Sequence, residues 1–169
     1  MSWDLYLVPE EHAGDAPEWL ESIAEESGDG AAAAGHAAAV RARRPELETF
    51  EPDGGDYLEL SAPEGSGLPV QVFLDGRHAA VSVAYWDVGE RASELADLVL
   101  DVVGALRERT DWVAFDPQED RIVDESELRA SFLGGHEHGV ELVRLIDASE
   151  QAPERPPRRR RRFFGLFGG

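Results

Sequence analysis

Hydrophobic positions in the first half of this chain mostly follow the patterns of β-strands. Residues 3–8 are apolar on both faces except at Asp4, which predicts a strand buried on both sides. Three later segments alternate apolar and polar positions, as half-buried strands do: 57–61, 70–74 and 79–86. The last two are joined through Asp75-Gly76, whose tolerance of positive φ predicts a hairpin with a two-residue turn.

Helical periodicity is strongest over residues 90–109, where large apolar side chains recur every three or four positions. Two shorter helices are predicted before the strands. One starts at the N-cap residue Asp15, and an Ala-rich one spans 31–44 and is stopped by Pro45.

The last third of the chain alternates between short elements. Residues 112–115 form a short apolar strand that Asp116-Pro117 ends, and Asp124 predicts the start of a helix. Gly134-Gly135 is expected to end that helix. Residues 140–146 fit a helix and a strand about equally well, and we favour the helix.

The order β-αα-β-β-β-α-β-α predicts an α+β fold, with a mixed β-sheet and helices mainly on one face. Right-handed crossovers would place the first and last strands side by side and parallel in the sheet centre. This describes a ferredoxin-like (split βαβ) variant with an added strand. Both of those strands are apolar on both sides, which agrees with a central position.

Charge divides the chain into an acidic domain, residues 1–150, and a Pro/Arg-rich tail, residues 151–169, predicted to be disordered. Residues 1–154 contain 10 arginines and 35 acidic residues, net −25, whereas the final 15 residues contain six arginines and no acid. Such a body should repel nucleic acid and favour a basic protein partner. GC-rich coding bias is the alternative explanation, since every basic residue is Arg.

The absence of Cys and Lys excludes several classes of protein. Without Cys there is no disulfide scaffold, thiolate zinc site or cysteine nucleophile, and without Lys there is no Walker A lysine. No cofactor is indicated. The first residues carry neither a basic region nor an apolar run of signal-peptide length, so we expect a cytoplasmic location.

Four polar residues are partner-binding candidates because they should lie near the ends of the two central strands: Asp4, Tyr6, Asp116 and Gln118. The alternative is structural, with Asp116 in a turn that ends a strand and Asp4 paired with an arginine. We favour this alternative.

Two metal-binding patterns are present but incomplete, so no metal site is predicted. Oxygen ligands stand at EF-hand spacing: Asp116, Gln118, Asp120, Ile122, Asp124 and Glu127. Arg121 occupies the position that requires Gly, however, and a helix cap explains Asp124 and Glu127 better. His136 and His138 could chelate a metal from an extended segment, but no third ligand is indicated, and we expect an exposed loop.

The C-terminal tail carries the most specific signal, a run of arginines followed by large apolar side chains: Arg158, Arg159, Arg160, Arg161, Arg162, Phe163, Phe164, Leu166 and Phe167. Arginine attracts anionic headgroups and the apolar groups can enter the interface, so the tail is predicted to tether the protein to an anionic membrane surface or a partner. Such binding would place the protein at the inner membrane. The alternatives are that the tail folds back on the body, binds nucleic acid or is solvated.

Two motifs carry a resemblance to a known group. The start Ser2-Trp3-Asp4-Leu5-Tyr6 and the later Ala114-Phe115-Asp116-Pro117-Gln118 resemble a group of small bacterial proteins. Members of that group pair an S-[YW]-D-[IL]-Y start with a late [VA]-[YF]-D-P-Q, and some of them resemble immunity proteins. The resemblance implies a similar order of elements and no catalytic residue.

Together these features predict a non-enzymatic binding protein, immunity-like, with a basic partner and a C-terminal tether. The alternative is a metal- or carboxylate-dependent hydrolase that uses Asp116, Asp120 and the pair His136 and His138. An enzyme requires such polar side chains to converge in one pocket.

Overall fold

The computed structural model describes residues 2–84 and 90–150, in which seven strands and four α-helices are found. The strands are β1 (Ser2–Pro9), β2 (Glu48–Phe50), β3 (Leu58–Ser61), β4 (Val70–Leu74), β5 (Ala79–Ala84), β6 (Trp112–Asp116) and β7 (Arg121–Val123). The helices are α1 (Ala16–Ile23), α2 (Gly30–Arg43), α3 (Glu90–Arg107) and α4 (Glu125–Glu150), with a 3-10 turn over Glu10–His12. The α+β class is confirmed.

The strands form one sheet in the order β2-β3-β4-β5-β1-β6-β7. As predicted, β1 and β6 are central neighbours, but they are antiparallel, with Tyr6 opposite Phe115. Every neighbouring pair among the described strands is antiparallel, so the predicted parallel pairing in a mixed sheet is wrong. Strands β5 and β6 lie on either side of β1, and helix α3 falls between them in the sequence. The ferredoxin-like arrangement stays a prediction.

The main core lies between one sheet face and the helices α2, α3 and α4. Alternate residues of β1 point into it, and Trp3 meets Phe132 of α4 edge-to-face with ring centroids 4.8 Å apart. The apolar stripe of α3 is buried here as its period predicts: Leu95, Leu98, Val99, Val102, Val103 and Leu106. Helices therefore lie mainly on one face, as predicted.

Helix α1 is the exception, because it packs on the opposite face of the sheet. A smaller cluster of Val8, Ala16 and Phe115 is buried there, with Trp19 and Leu20 packed against it. This explains why β1 and β6 are apolar on both sides, since each contacts a helix on either face. Among the described residues, the helices cover strands β3, β4 and β5 on the main-core face only.

The β4–β5 hairpin is confirmed, but its turn is not the predicted two-residue turn. Leu74 pairs with Ala79, so four residues form the loop. The Asp75 carboxylate accepts the backbone N–H of Arg77 at 2.8 Å and that of His78 at 2.9 Å, which closes the loop. Gly76 adopts φ +88°.

Helix α4 continues through Gly134-Gly135 to Glu150, so the predicted helix end and the exposed loop over residues 136–138 are wrong. The helical prediction for residues 140–146 is confirmed. A Cβ atom on Gly135 would lie 2.9 Å from Cδ1 of Trp3. Gly135 therefore allows helix α4 and strand β1 to approach closely. From the sequence alone, a glycine in this role cannot be distinguished from one that ends a helix.

Two predictions from the sequence fall on residues outside the described part. These are the C-terminal tail and the end of the strand predicted over 79–86. In the described part, none of the helices combines the length and apolar character needed to cross a bilayer.

Candidate functional site

Asp116, one of the predicted partner-binding residues, is a structural carboxylate. It is only 1% exposed and accepts the backbone N–H of Gln118 at 2.8 Å and that of Glu119 at 3.2 Å. The Ser131 hydroxyl of α4 donates to its other oxygen at 3.0 Å. Asp116 thus ends β6 in a turn and anchors that turn to α4, as the structural alternative predicts.

Of the other three candidates, Gln118 contacts the Asp116 carboxylate, whereas the side chains of Asp4 and Tyr6 do not converge with it. Asp4 and Tyr6 lie on the α1 side of the sheet, opposite α4. Asp4 accepts a hydrogen bond from the Ser2 hydroxyl and pairs with no arginine of the described residues. With its amide nitrogen facing inward, Gln118 bridges the Asp4 carbonyl and the Asp116 carboxylate at 3.0 and 3.1 Å. Burial, aided by the Asp4 charge, raises the pKa of Tyr6.

The EF-hand spacing falls on a β-hairpin rather than on a metal-binding loop. Strand β7 pairs with β6 and occupies the middle of that spacing. Arg121 contacts Glu127 at 3.0 Å and Glu119 at 2.6 Å, so the Glu127 carboxylate already has a cationic partner. In residues 2–84 and 90–150, no three metal-ligating side chains are grouped to hold an ion.

The residues of the hydrolase alternative are distributed over several parts of the molecule. Asp116 faces α4, whereas Asp120 lines a cleft beside α1 on the other sheet face. Positions 136 and 138 belong to α4, where residues two apart are separated by about 200° around the axis. The extended geometry assumed for His136 and His138 is therefore absent.

A site that the sequence analysis missed lies where the β4–β5 loop meets the end of α1. Asp75, Arg77 and His78 of the loop line a cleft of about 420 Å³. Nη2 of Arg77 lies 2.8 Å from Oδ2 of Asp75, and Nη1 of Arg77 lies 2.8 Å from Oε2 of Glu26. Nδ1 of His78 lies 2.9 Å from Oδ1 of Asp75.

Asp75 is the electrostatic centre of this cleft. Only 4% of the residue is exposed, and burial alone raises the pKa of a carboxyl group. The side chain and backbone of His78 and the backbone of Arg77 outweigh burial, and they hold the pKa of Asp75 well below its usual range. Asp75 is therefore ionised at neutral pH and already saturated with donors, which makes it a structural anion.

A row of five aromatic rings begins at this cleft and crosses the α1 side of the molecule. Successive centroid distances along the row are 4.8, 5.7, 6.2 and 4.7 Å. We call this set the aromatic row: Tyr57, Phe73, His78, Trp19 and His12. Each of its residues is partly exposed, so the row presents ring surface to solvent.

Carboxylates surround the aromatic row. The cleft is lined by four acidic residues and one arginine: Glu25, Glu26, Asp56, Asp75 and Arg77. Residues 10–26 carry seven exposed acids, and no arginine precedes Arg41 in the sequence. The aromatic row and these carboxylates together are called the acidic aromatic face.

Several arginines lie on the other side of the sheet, paired between helices. Arg43 contacts Glu108 at 2.6 Å, and Arg44 contacts Asp101 at 2.7 Å, joining α2 to α3. Arg129 of α4 pairs with Asp97 of α3. The acidic aromatic face, in contrast, keeps carboxylates that no arginine of the described residues neutralises, such as Glu25 and Asp56.

Sequence reasoning missed this face because its members come from four separate segments. The sequence indicates only a turn at Asp75. His12 and His78 lie far apart in the sequence, so nothing there indicates that they belong to one site. One signal was present: Asp75, Arg77 and His78 fall within four consecutive residues of the best-predicted hairpin.

Neither a protein-family model, nor a curated protein, nor a solved structure matches this chain.

Proposed function

We propose that this chain is a non-enzymatic binding protein whose acidic aromatic face binds a basic segment of a protein partner. The aromatic row beside the carboxylates of the cleft carries the proposal. Among the described residues one arginine, Arg77, lines the cleft, and it already has two carboxylate partners, Asp75 and Glu26. The site is therefore complementary to cations rather than to anions.

The chemistry of the face fits arginine or lysine side chains of a partner. A guanidinium or ammonium group over an aromatic ring gains roughly 0.5–2 kcal/mol, more where it is desolvated. Exposed carboxylates such as Glu25 and Asp56 add attraction and speed association, and both effects weaken with salt. Several such contacts together support a specific but salt-sensitive interaction. The same negative charge disfavours nucleic acid on the body.

The tail gives the second part of the proposal, a tether to an anionic membrane surface. Arg158–Arg162 adjoin Phe163 and Phe164, which combines headgroup attraction with apolar insertion. A cytoplasmic, immunity-like role fits a small acidic protein that captures a basic partner. The resemblance of the two strand motifs supports that role.

The hydrolase alternative has less support from the geometry. Its residues lie on opposite sides of the sheet, and the Asp116 carboxylate is buried and saturated with donors. A general acid or base must reach the proton that it transfers. We therefore favour binding over catalysis.

The test is a titration of the full-length chain with a fluorescent arginine-rich peptide. The double variant Glu25→Gln/Asp56→Asn removes two cleft charges and should weaken binding about three- to tenfold at low salt. The matched control, Glu90→Gln/Glu94→Gln, removes two exposed charges from α3 on the far side of the sheet. Equal weakening by both pairs would show attraction to net charge alone and contradict a site at the cleft.

A further inference from the structure

Residues 155–169 lie outside the described part of the chain, and their composition is complementary to the acidic aromatic face. They contain six arginines and no acid, and large apolar residues follow the arginine run: Phe163, Phe164, Leu166 and Phe167. The face presents the opposite charge together with exposed ring surface. One chain therefore carries both a basic, aromatic segment and a face suited to such a segment.

We propose that residues 155–169 dock on the acidic aromatic face of their own chain and mask it. This inference rests on the proposed function, since it assigns an occupant and a regulation to the same face. The partner of that face and the tail then compete for one surface. Release of the tail is what makes the face available.

Charge favours docking of the tail on this face. On the helical side, carboxylates such as Glu108 and Asp101 already hold arginines at 2.6 and 2.7 Å. On the α1 side, residues 10–26 carry seven exposed acids, and within the described part of the chain Glu26 is the one among them that pairs with an arginine. A segment of six arginines therefore finds a cluster of unneutralised carboxylates there.

Ring chemistry favours the same face. Arginine stacks on aromatic rings through its planar guanidinium group, and phenylalanine packs on them edge-to-face or offset. The aromatic row supplies partly exposed rings of Tyr57, Phe73 and Trp19. The acidic aromatic face thus offers carboxylates to the arginines of the tail and ring surface to its phenylalanines.

Reach and tethering also permit docking. The 15 peptide units from Glu150 to Gly165 span up to about 50 Å when extended. Helix α4, with 26 residues, is about 39 Å long. The extended segment is therefore longer than this helix, the longest among the described residues. Because it is covalently attached, its effective concentration is on the order of millimolar, and weak contacts suffice.

Cysteine cross-linking tests the docking directly, since the native chain has no cysteine. The full-length variant Ser27→Cys/Gly165→Cys pairs the cleft with the tail. The matched control Glu94→Cys/Gly165→Cys pairs the tail with an exposed position of α3. We expect the intramolecular disulfide to form at least about tenfold faster in the first variant and to slow with added salt.

Equal cross-linking rates in the two variants would overturn the inference. Dimers linked between chains, in place of the intramolecular product, would also overturn it by showing that the face takes the tail of a second copy. Circular dichroism of both reduced variants checks that each remains folded.

A second readout separates this inference from the proposed function. Replacing Phe163, Phe164 and Phe167 by Ser keeps the charge and should tighten binding of the arginine-rich peptide several-fold, because the tail competes less well. Unchanged affinity overturns the masking. If position 27 cross-links to the tail but neither the native chain nor the triple Ser variant binds the arginine-rich peptide, the proposed function is contradicted and the docking inference stands.

Discussion

Asp75 connects the geometry of one loop with the electrostatics of the cleft. Its Oδ1 accepts two backbone N–H groups and so sets the four-residue loop, while its Oδ2 receives the Arg77 guanidinium. Because the carboxylate is buried, each of these donors also offsets the cost of its desolvation. One side chain thus holds Arg77 and His78 in place at the edge of the aromatic row.

Replacing this carboxylate gives a prediction at the residue scale. Asp75→Asn should lower the free energy of unfolding by about 2 kcal/mol at pH 7, since charge-assisted hydrogen bonds to Arg77 are lost. The pKa of Asp75 is lowered on folding, so its contribution is complete above the usual carboxyl range. It is lost as pH falls from that range through the lower folded-state pKa.

Urea unfolding of both chains at pH 7 and at pH 3 measures this effect. The difference between them should be smaller at pH 3. Asp53→Asn, at an exposed position in the loop before β3, serves as the control and should change stability little. A difference that grows at low pH would contradict the assignment of Asp75 as a stabilising anion.

At the scale of elements, the placement of helices follows from which strand faces are apolar. Strands β1 and β6 are covered on both sides, whereas β3, β4 and β5 are covered on one side, where alternate residues point into the main core. In the part of the chain that the structure describes, the short helix α1 leaves part of this side of the sheet uncovered, and the acidic aromatic face lies there. Its rings fill the border between helix α1 and the uncovered strands.

The hydrophobic periodicity of the sequence was sufficient to predict most of these helices and strands. It was not sufficient to predict the direction of neighbouring strands or the contacts between distant segments. The stripe of α3 and the alternation of β4 and β5 identified helix and hairpin, because burial of one face imposes that period. The predicted parallel direction of β1 and β6 was wrong. A strand that is apolar on both sides indicates a central position, but it does not indicate whether the neighbouring strand is parallel or antiparallel. The aromatic row was invisible, because it depends on contacts between segments distant in the sequence.

Gly134 and Gly135 illustrate why local signals misled, and they provide a prediction for helix α4. A Cβ atom at Gly134 meets nothing within 4 Å, whereas one at Gly135 would lie 2.9 Å from Cδ1 of the buried Trp3. Gly134→Ala should raise the free energy of unfolding by about 0.5–1 kcal/mol through helix propensity. Gly135→Ala should lower it, because the packed indole cannot move aside.

Thermal or urea unfolding of the two variants decides this prediction, each variant serving as the control for the other. Equal stabilisation by both substitutions would mean that α4 does not approach β1 as closely as the structure indicates.

At the scale of the whole molecule, charge is separated between the acidic body and the basic tail. The body carries net −25 and the final 15 residues carry +6. Several arginines of the body join helices on one side of the sheet. The acidic aromatic face keeps carboxylates that no arginine of the described residues neutralises, such as Glu25 and Asp56. The tail therefore has two competing attractions, the acidic aromatic face of its own chain and an external anionic surface.

This competition predicts how the protein binds membranes. The full-length chain should sediment weakly with vesicles of mixed anionic and neutral lipid, and not with neutral vesicles, because the arginine run must attract headgroups against the repulsion of the body. Binding should fall steeply with salt. Replacing Arg158–Arg162 by Ser should abolish it, and replacing Phe163, Phe164 and Phe167 by Ser should weaken it at constant charge.

Coupling between the two sites makes the vesicle experiment more specific. Glu25→Gln/Asp56→Asn weakens the face that holds the tail, so it should increase sedimentation beyond the effect of Glu90→Gln/Glu94→Gln, which changes the net charge equally. Linkage is reciprocal, so anionic vesicles should in turn raise the affinity of the face for the arginine-rich peptide. Equal sedimentation of both double variants would show that the tail responds only to net charge, and pelleting with neutral vesicles would contradict electrostatic tethering.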